Sequence, residues 1–149
     1  MKVVIQKSGK ASVEVAGKIT GQIEKGLVVL LGITNGDTEK DVDFIADKIA
    51  NLRLFDEGEK YFEKSVTDTT KEILLISQFT LYGDCRKGRR PDFINAAKAE
   101  VAEPLYNKLI EKLKSLGLNV QTGVFRAMMK VSLTNEGPIT IILDSNLTN

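Results

Sequence analysis

The hydrophobic residues of this chain fall mainly into short runs, and these runs predict a protein built largely from β-strands. Most of the runs are rich in valine, isoleucine and leucine, which favours buried or half-buried strands. The predicted strands cover residues 3–6, 11–15, 19–23, 27–33, 73–76, 120–124, 128–133 and 139–143. Residues 53–68 have a weaker pattern, with short extended pieces at Leu54-Phe55 and Tyr61-Phe62.

A first helix is predicted over residues 38–52, where apolar residues recur at helical spacing. Thr38 and Asp41 resemble a capping box, which is typical of a helix start. The apolar residues that follow occupy positions 42, 45, 49 and 52. We expect this face to pack against a core.

A second helix is predicted from about Lys98 or Glu103 to Leu116. Gly117 is a suitable C-terminal cap. Proline is well tolerated only in the first turn of a helix, so Pro104 should lie in that turn.

These elements predict a layered α/β or α+β domain, because two helices are inserted between groups of strands. The sequence has no internal repeat, low-complexity tract or linker, so residues 1–149 are predicted to form one domain. The polar residues from about 145 to 149 are expected to be a flexible tail.

The run from Val131 to Leu143 predicts two strands separated by the pair Gly137-Pro138. Proline cannot donate a hydrogen bond to a sheet, so this pair should lie at a strand start or at a free edge. The simplest interpretation is a tight turn. A rigid corner that fixes the direction of backbone groups is the alternative, and an X-Pro bond makes a cis peptide accessible at about 0.5–1 kcal/mol.

The composition limits the chemistry that is available. The chain has a net charge of +1, no histidine and one cysteine, Cys85. Ser-His-Asp and Cys-His nucleophilic systems are therefore excluded, and so are histidine or multi-cysteine metal sites. A single cysteine excludes an internal disulfide and is typical of the cytoplasm. No apolar run has the length of a membrane span, and the first residues predict a strand rather than a signal peptide.

Two polar segments are candidates for binding a ligand. Four cations occur within residues 86–90, namely Arg86, Lys87, Arg89 and Arg90. They form either a solvated loop or a phosphate-binding surface. Residues 77–80 follow a buried strand, at the end where layered α/β proteins bind ligands. Strand alternation would send Gln78 and Thr80 to one face of the sheet.

Taken together and in order, six segments make the chain resemble the D-aminoacyl-tRNA deacylase family. They are Val4-Ile5-Gln6 with Ala11-Ser12-Val13, Gly26-Leu27-Val28-Val29-Leu30-Leu31-Gly32, Ser77-Gln78-Phe79-Thr80-Leu81, Gly88-Arg89-Arg90-Pro91-Asp92-Phe93, Gln121-Thr122-Gly123-Val124-Phe125 and Asn135-Glu136-Gly137-Pro138-Ile139-Thr140. The resemblance implies a homodimer with a three-layer α/β/β fold and no cofactor. It also implies hydrolysis of the ester between a D-amino acid and the 3′ end of tRNA, and of glycine mischarged on tRNA-Ala.

The resemblance also assigns roles to the candidate residues. Gly137-Pro138 would be a Gly-cisPro motif that enters the partner's active site and excludes L-amino acids. Ser77 and Gln78 would bind substrate. Beside a tRNA substrate, phosphate contact becomes the favoured role of the four cations at Arg86, Lys87, Arg89 and Arg90. Phe79 and Thr80 would polarise the ester or position water, with help from the ribose 2′-hydroxyl. A nucleophilic Thr80 is disfavoured because no base is evident.

The chain departs from the family pattern at a few positions. Lys7 stands where the family usually has an arginine that braces the Gly-Pro segment, and lysine cannot make the same forked contacts. Arg126 and Met128 replace residues that are commonly small and acidic. Two other functions stay open, a non-catalytic RNA-binding module and a hydrolase of free D-amino-acid esters or peptides.

Overall fold

The computed structural model describes residues 1–147 and contains two α-helices and eight β-strands in that range. The helices are α1 (Glu39–Asn51) and α2 (Ala99–Ser115). The strands are β1 (Lys2–Val15), β2 (Lys18–Ile23), β3 (Gly26–Gly32), β4 (Arg53–Glu57), β5 (Lys60–Ser65), β6 (Glu72–Ser77), β7 (Asn119–Thr122) and β8 (Lys130–Asp144). Short 3-10 helices cover Phe79–Tyr82 and Ser145–Leu147. No helix among these residues is long and apolar enough to cross a membrane.

One mixed sheet of six strands forms the body of the protein. Its order is β2-β1-β3-β6-β7, and β8 pairs with β1. β3, β6 and β7 are parallel to one another, whereas β1 is antiparallel to β2, β3 and β8. At Gly21 of β2, an added Cβ would lie 2.5 Å from the carbonyl oxygen of Thr122 in β7. The two ends of the sheet therefore approach closely, and the sheet is nearly closed.

The central strands bury both faces, which produces three layers. Alternate residues of β3 and β6, at positions 27, 29, 31, 73 and 75, pack in the core that the helices cover. The residues between them pack on the opposite face against the second half of β1 and against β2. α1 and α2 cover the first face with fully buried Ile45, Ile49, Leu109 and Leu113. The predicted α/β/β fold is confirmed.

Two pairs of predicted strands are in fact single long strands. Residues 3–6 and 11–15 belong to β1, and residues 128–133 and 139–143 belong largely to β8. The prediction of a tight turn between two strands at Gly137-Pro138 is therefore wrong. β8 continues past this pair because β1 offers it hydrogen-bonding partners both before and after the pair.

The expectation that Pro104 lies in the first turn of α2 is wrong, because the helix begins too early in the chain. It starts at Ala99, so Pro104 lies in its second turn. A residue at position 104 would normally donate to the carbonyl of Glu100, and proline removes that bond. Both residues are exposed, so water can hydrogen-bond to the carbonyl.

The start of the predicted flexible tail is instead held in place. Ser145 N donates to the carbonyl oxygen of Met1 at 2.9 Å. The α-ammonium group of Met1 donates to Ser145 Oγ at 2.8 Å and to Asp37 Oδ1 at 2.6 Å. Ser145 Oγ donates to Asp41 Oδ1 at 2.6 Å. The last two residues of the predicted tail, 148 and 149, lie outside the described residues.

Candidate functional site

A cavity of about 730 Å³ opens at the carboxyl end of β6. Three segments that are distant in sequence line it, namely residues 77–80, residues 97–100 and residues 125–129. Leu31, Ile33 and Ile76 contribute apolar surface. The structure thus places the four predicted residues 77–80 along one cavity, at the sheet edge where α/β proteins usually bind ligands.

The chain leaves the sheet sharply after Ser77. Gln78 N donates to the carbonyl oxygen of Leu31 at 2.7 Å, and Phe79–Tyr82 then form a 3-10 helix. Strand alternation stops at Ser77, so the predicted separation of Ser77 and Phe79 from Gln78 and Thr80 does not hold. Phe79 and Thr80 are both exposed.

The Thr80 hydroxyl makes no hydrogen bond to a basic group within residues 1–147. Its Oγ1 accepts a hydrogen bond from Gln78 Nε2. An amide N–H group donates and cannot take up the hydroxyl proton. This geometry therefore allows Thr80 to orient a ligand or a water molecule, but it does not favour Thr80 as a nucleophile.

Aromatic packing connects residues 77–80 to the basic loop, the segment of residues 84–92 that carries the four cations. The ring centroids of Phe79 and Phe93 lie 5.0 Å apart, in an edge-to-face arrangement. The loop itself is closed by two backbone hydrogen bonds between Asp84 and Asp92, at 2.7 and 2.9 Å. The base of the loop is therefore held in a fixed position relative to the cavity.

The four cations of the basic loop are not equivalent. Arg86 forms an ion pair with Asp84, with a shortest distance of 2.6 Å. The Arg86 hydrogen bonds lower the pKa of Asp84 to about 2, and the same pair raises the pKa of Arg86. Lys87, Arg89 and Arg90 are exposed and form no ion pair in the described part of the chain.

Gly137-Pro138 lies in an excursion of β8 away from β1. Gln6 pairs with Thr140 and Ser8 with Asn135, so residues 136–139 face Lys7 alone. The Gly137-Pro138 peptide bond is cis. Both residues are exposed, and neither lines the cavity of the same chain.

Asn135 holds the two ends of this excursion together, a role that sequence reasoning missed. Its Oδ1 accepts from Ile139 N at 3.0 Å, and its Nδ2 donates to Thr140 Oγ1 at 2.9 Å. The signal in the sequence was an asparagine shortly before a Gly-Pro pair, because asparagine side chains often bond nearby backbone. Lys7, which stands where the family usually has a bracing arginine, directs its Nζ to Asp56 Oδ2 at 3.5 Å.

Sequence reasoning also missed the far wall of the cavity. Phe125 packs against Tyr106, with ring centroids 5.6 Å apart. The Tyr106 hydroxyl donates to the carbonyl oxygen of Leu75 at 3.0 Å, and burial raises the pKa of Tyr106 to about 12. Phe125 ends one of the six family segments, but the segment gave it no role, since Phe125 and Tyr106 meet only after α2 and β7 pack together.

The fold and the open cavity define a layered α/β protein that can take a ligand at the end of a parallel strand pair. A family model described as D-Tyr-tRNA(Tyr) deacylase matches residues 4–144. The chain belongs to this family, and the resemblance predicted from its motifs is confirmed.

Individual relatives agree with this assignment. A D-aminoacyl-tRNA deacylase of Brevibacillus brevis is 57% identical over 145 residues, which cover 97% of this chain and 100% of the relative. A D-aminoacyl-tRNA deacylase of Halothermothrix orenii is 55% identical over 146 residues and 98% of both chains.

Solved structures share the fold. One described as c-Myc DNA Unwinding Element Binding Protein has a TM-score of 0.90 and 42% identity, covering 97% of this chain and 99% of its own. A probable eukaryotic D-amino acid tRNA deacylase has a TM-score of 0.84 and 16% identity, covering 95% and 97% of the two chains. The second likeness shows the fold alone.

We predict that Gly137→Ala destabilises the protein more than Gly36→Ala. Both glycines have positive φ, +124° and +92°. A Cβ at position 137 would lie 2.7 Å from Ile139 Cγ1, whereas one at position 36 meets nothing within 4 Å. The backbone cost should be about 1 kcal/mol in each variant, and the clash should add about 1–2 kcal/mol for Gly137→Ala. Urea unfolding measures the difference, and equal losses would contradict the prediction.

Proposed function

We propose that this protein hydrolyses the ester bond of D-aminoacyl-tRNA in the cytoplasm and releases a free D-amino acid and tRNA. The main support is the open cavity at residues 77–80 in a chain 57% identical to a protein named D-aminoacyl-tRNA deacylase. Glycyl-tRNA-Ala is proposed as a second substrate, because glycine has no side chain for a steric filter to reject.

The proposed reaction needs little assistance, since an aminoacyl ester is already activated. Backbone amides near Phe79 and Thr80 would stabilise the charge that develops on the carbonyl oxygen as water attacks. The Thr80 hydroxyl, oriented by Gln78, would polarise the ester or position the water. The ribose 2′-hydroxyl of the substrate would assist. Ser77 and Gln78 would hold the terminal nucleotide and the aminoacyl group.

In this proposal the chiral selection is steric. Gly137 and Pro138 would form a wall that leaves no space for an L side chain, admits a D side chain and also admits glycine. A wall held by surrounding structure is suited to reject an unwanted substrate. The Asn135 hydrogen bonds to Ile139 N and Thr140 Oγ1 support such rigidity.

The proposed active form is a homodimer in which Gly137-Pro138 enters the partner's cavity. The pair is exposed and does not line the cavity of its own chain. Within residues 1–147, β8 pairs only with β1, so its other edge is free to meet a second chain. Sedimentation equilibrium should give twice the chain mass of 16.4 kDa. A single-chain mass at micromolar concentration would contradict the dimer.

The basic loop is proposed to contact the phosphates of the tRNA acceptor stem. Lys87, Arg89 and Arg90 are exposed cations on a loop whose base, closed at Asp84 and Asp92, is held near the cavity by the Phe79–Phe93 contact. Arg86 would contribute less than the other three, since Asp84 already neutralises its charge. Such contacts position a nucleic acid without reading its sequence.

The decisive experiment is a deacylation assay with D-Tyr-tRNA, Gly-tRNA-Ala and L-Tyr-tRNA. The D-aminoacyl and glycyl substrates should be hydrolysed and the L substrate spared. In Pro138→Ala, part of the wall is removed, so activity should fall or the ratio of D to L kcat/KM should fall by about tenfold or more. Unchanged activity and unchanged preference in this variant would remove the role proposed for Pro138.

Thr80→Ala tests whether the hydroxyl assists or attacks. An orienting role predicts a loss of kcat of at most about a thousandfold, whereas loss of a nucleophile typically costs about a millionfold. Thr80→Ser is the matched control, because it keeps the hydroxyl and should retain most activity. Complete inactivity of Thr80→Ala with intact tRNA binding would show that the hydroxyl is the nucleophile.

A second candidate function is nucleic-acid binding without turnover. It is favoured by the likeness to the structure described as c-Myc DNA Unwinding Element Binding Protein, at 42% identity. The same assay separates the two candidates. Binding of D-Tyr-tRNA without hydrolysis would favour this second function and would exclude the first.

A further inference from the structure

Arg126 occupies a backbone conformation that arginine disfavours. Ala127 N donates to the carbonyl oxygen of Val124 at 3.1 Å, which closes a turn with Arg126 at its third position. The φ angle of Arg126 is +65°. Turns with positive φ at this position normally carry glycine or asparagine, because a Cβ is disfavoured there. An arginine kept in such a conformation points to a use for its side chain.

The turn is anchored, so Arg126 has a defined place at the cavity. Phe125, the preceding residue, packs against the largely buried Tyr106, with ring centroids 5.6 Å apart. Arg126 itself is exposed and is part of the cavity lining. The backbone thus holds Phe125 against the protein interior and leaves Arg126 at the cavity surface.

The guanidinium group of Arg126 has no partner in the described structure. Among residues 1–147 it forms neither an ion pair nor a side-chain hydrogen bond, unlike Arg86, which is paired with Asp84 at 2.6 Å. Lys98 and Glu100 are the other charged residues of the cavity lining. Their charges cancel, so Arg126 gives this surface its net positive charge.

We infer that Arg126 binds a phosphate group of the nucleic acid strand whose 3′ end enters the cavity. This inference rests on the proposed function for the identity of the strand. A guanidinium binds phosphate through two parallel hydrogen bonds. In an aminoacyl ester the amino-acid carboxyl carries no charge, so the phosphodiesters of the last nucleotides are the anions nearest to the reacting bond. Arg126 is therefore a substrate-binding residue, separate from the basic loop.

The first test measures binding of uncharged tRNA and so does not depend on catalysis. Arg126→Gln should weaken binding by about tenfold or more, as expected for one lost charged contact. The slope of log K against log salt should fall in magnitude by about 0.7, the value for one phosphate contact on a single strand. Arg126→Lys should recover part of the affinity. Lys40→Gln is the control, since it removes the same charge from α1, outside the cavity lining.

The second test uses 3′-D-tyrosyl-adenosine, which keeps the ester and lacks phosphodiesters. Arg126→Gln should raise KM for D-Tyr-tRNA and leave the hydrolysis of this small ester unchanged. A similar loss with both substrates would overturn the inference, because it would place the guanidinium at the amino acid or ester. Unchanged affinity for uncharged tRNA would also overturn it. If wild-type protein binds tRNA but hydrolyses neither substrate, the proposed function fails and the binding test still decides about Arg126.

Arg126→Gly separates binding from stability. Glycine accepts the positive φ, so Tm should rise by about 2–4 °C, while tRNA affinity should fall as in Arg126→Gln. Higher stability with lower affinity supports the inference. Lower stability would show that the arginine has a structural role, which would count against it.

Discussion

The long strand β1 is the element on which the rest of the structure depends. Its first half pairs with β3 and its second half with β2, while β8 runs beside both halves. The strand therefore joins the helix-covered part of the sheet to the second β layer. Because β8 pairs with β1 on both sides of residues 136–139, Gly137-Pro138 is fixed at both ends by the same strand. The position of the exposed pair thus follows from sheet register.

The same constraint explains which parts of the fold could be predicted from the sequence. Alternation and apolar runs located the strands, because strands buried on both faces have strongly apolar sequences. They did not show that residues 3–6 and 11–15 form one strand, since a break in the apolar pattern looks the same at a bend and at a turn. A start of α2 near Lys98 was one of the two predicted starts, and only the expectation that Pro104 lies in the first turn was wrong. Local rules place Pro104 in the first turn, but an exposed helix face tolerates the lost hydrogen bond.

The candidate site was predictable only where a single segment carries it. Residues 77–80 were found because they follow a buried strand directly, although the 3-10 helix after Ser77 changed the direction of their side chains. The walls formed by residues 97–100 and 125–129 come from other parts of the chain, and nothing in either segment marks a cavity. Likewise, the sequence shows four cations at residues 86–90 but not that Asp84 neutralises Arg86.

The distribution of charge and rigidity around the cavity suits an enzyme without histidine. Thr80 is oriented by an amide and is hydrogen-bonded to no base in the described structure, so the proposed catalysis relies on fixed dipoles and on the substrate. Fixed dipoles are effective only where the backbone does not move in response to the reacting charge. The bond from Gln78 N to Leu31 O and the Phe79–Phe93 contact supply that rigidity on one side. Outside the cavity lining, Asn135 supplies it for the exposed Gly-Pro pair. The proposed selectivity and the proposed chemistry therefore rest on the same physical property, a backbone held by the sheet on which it is built.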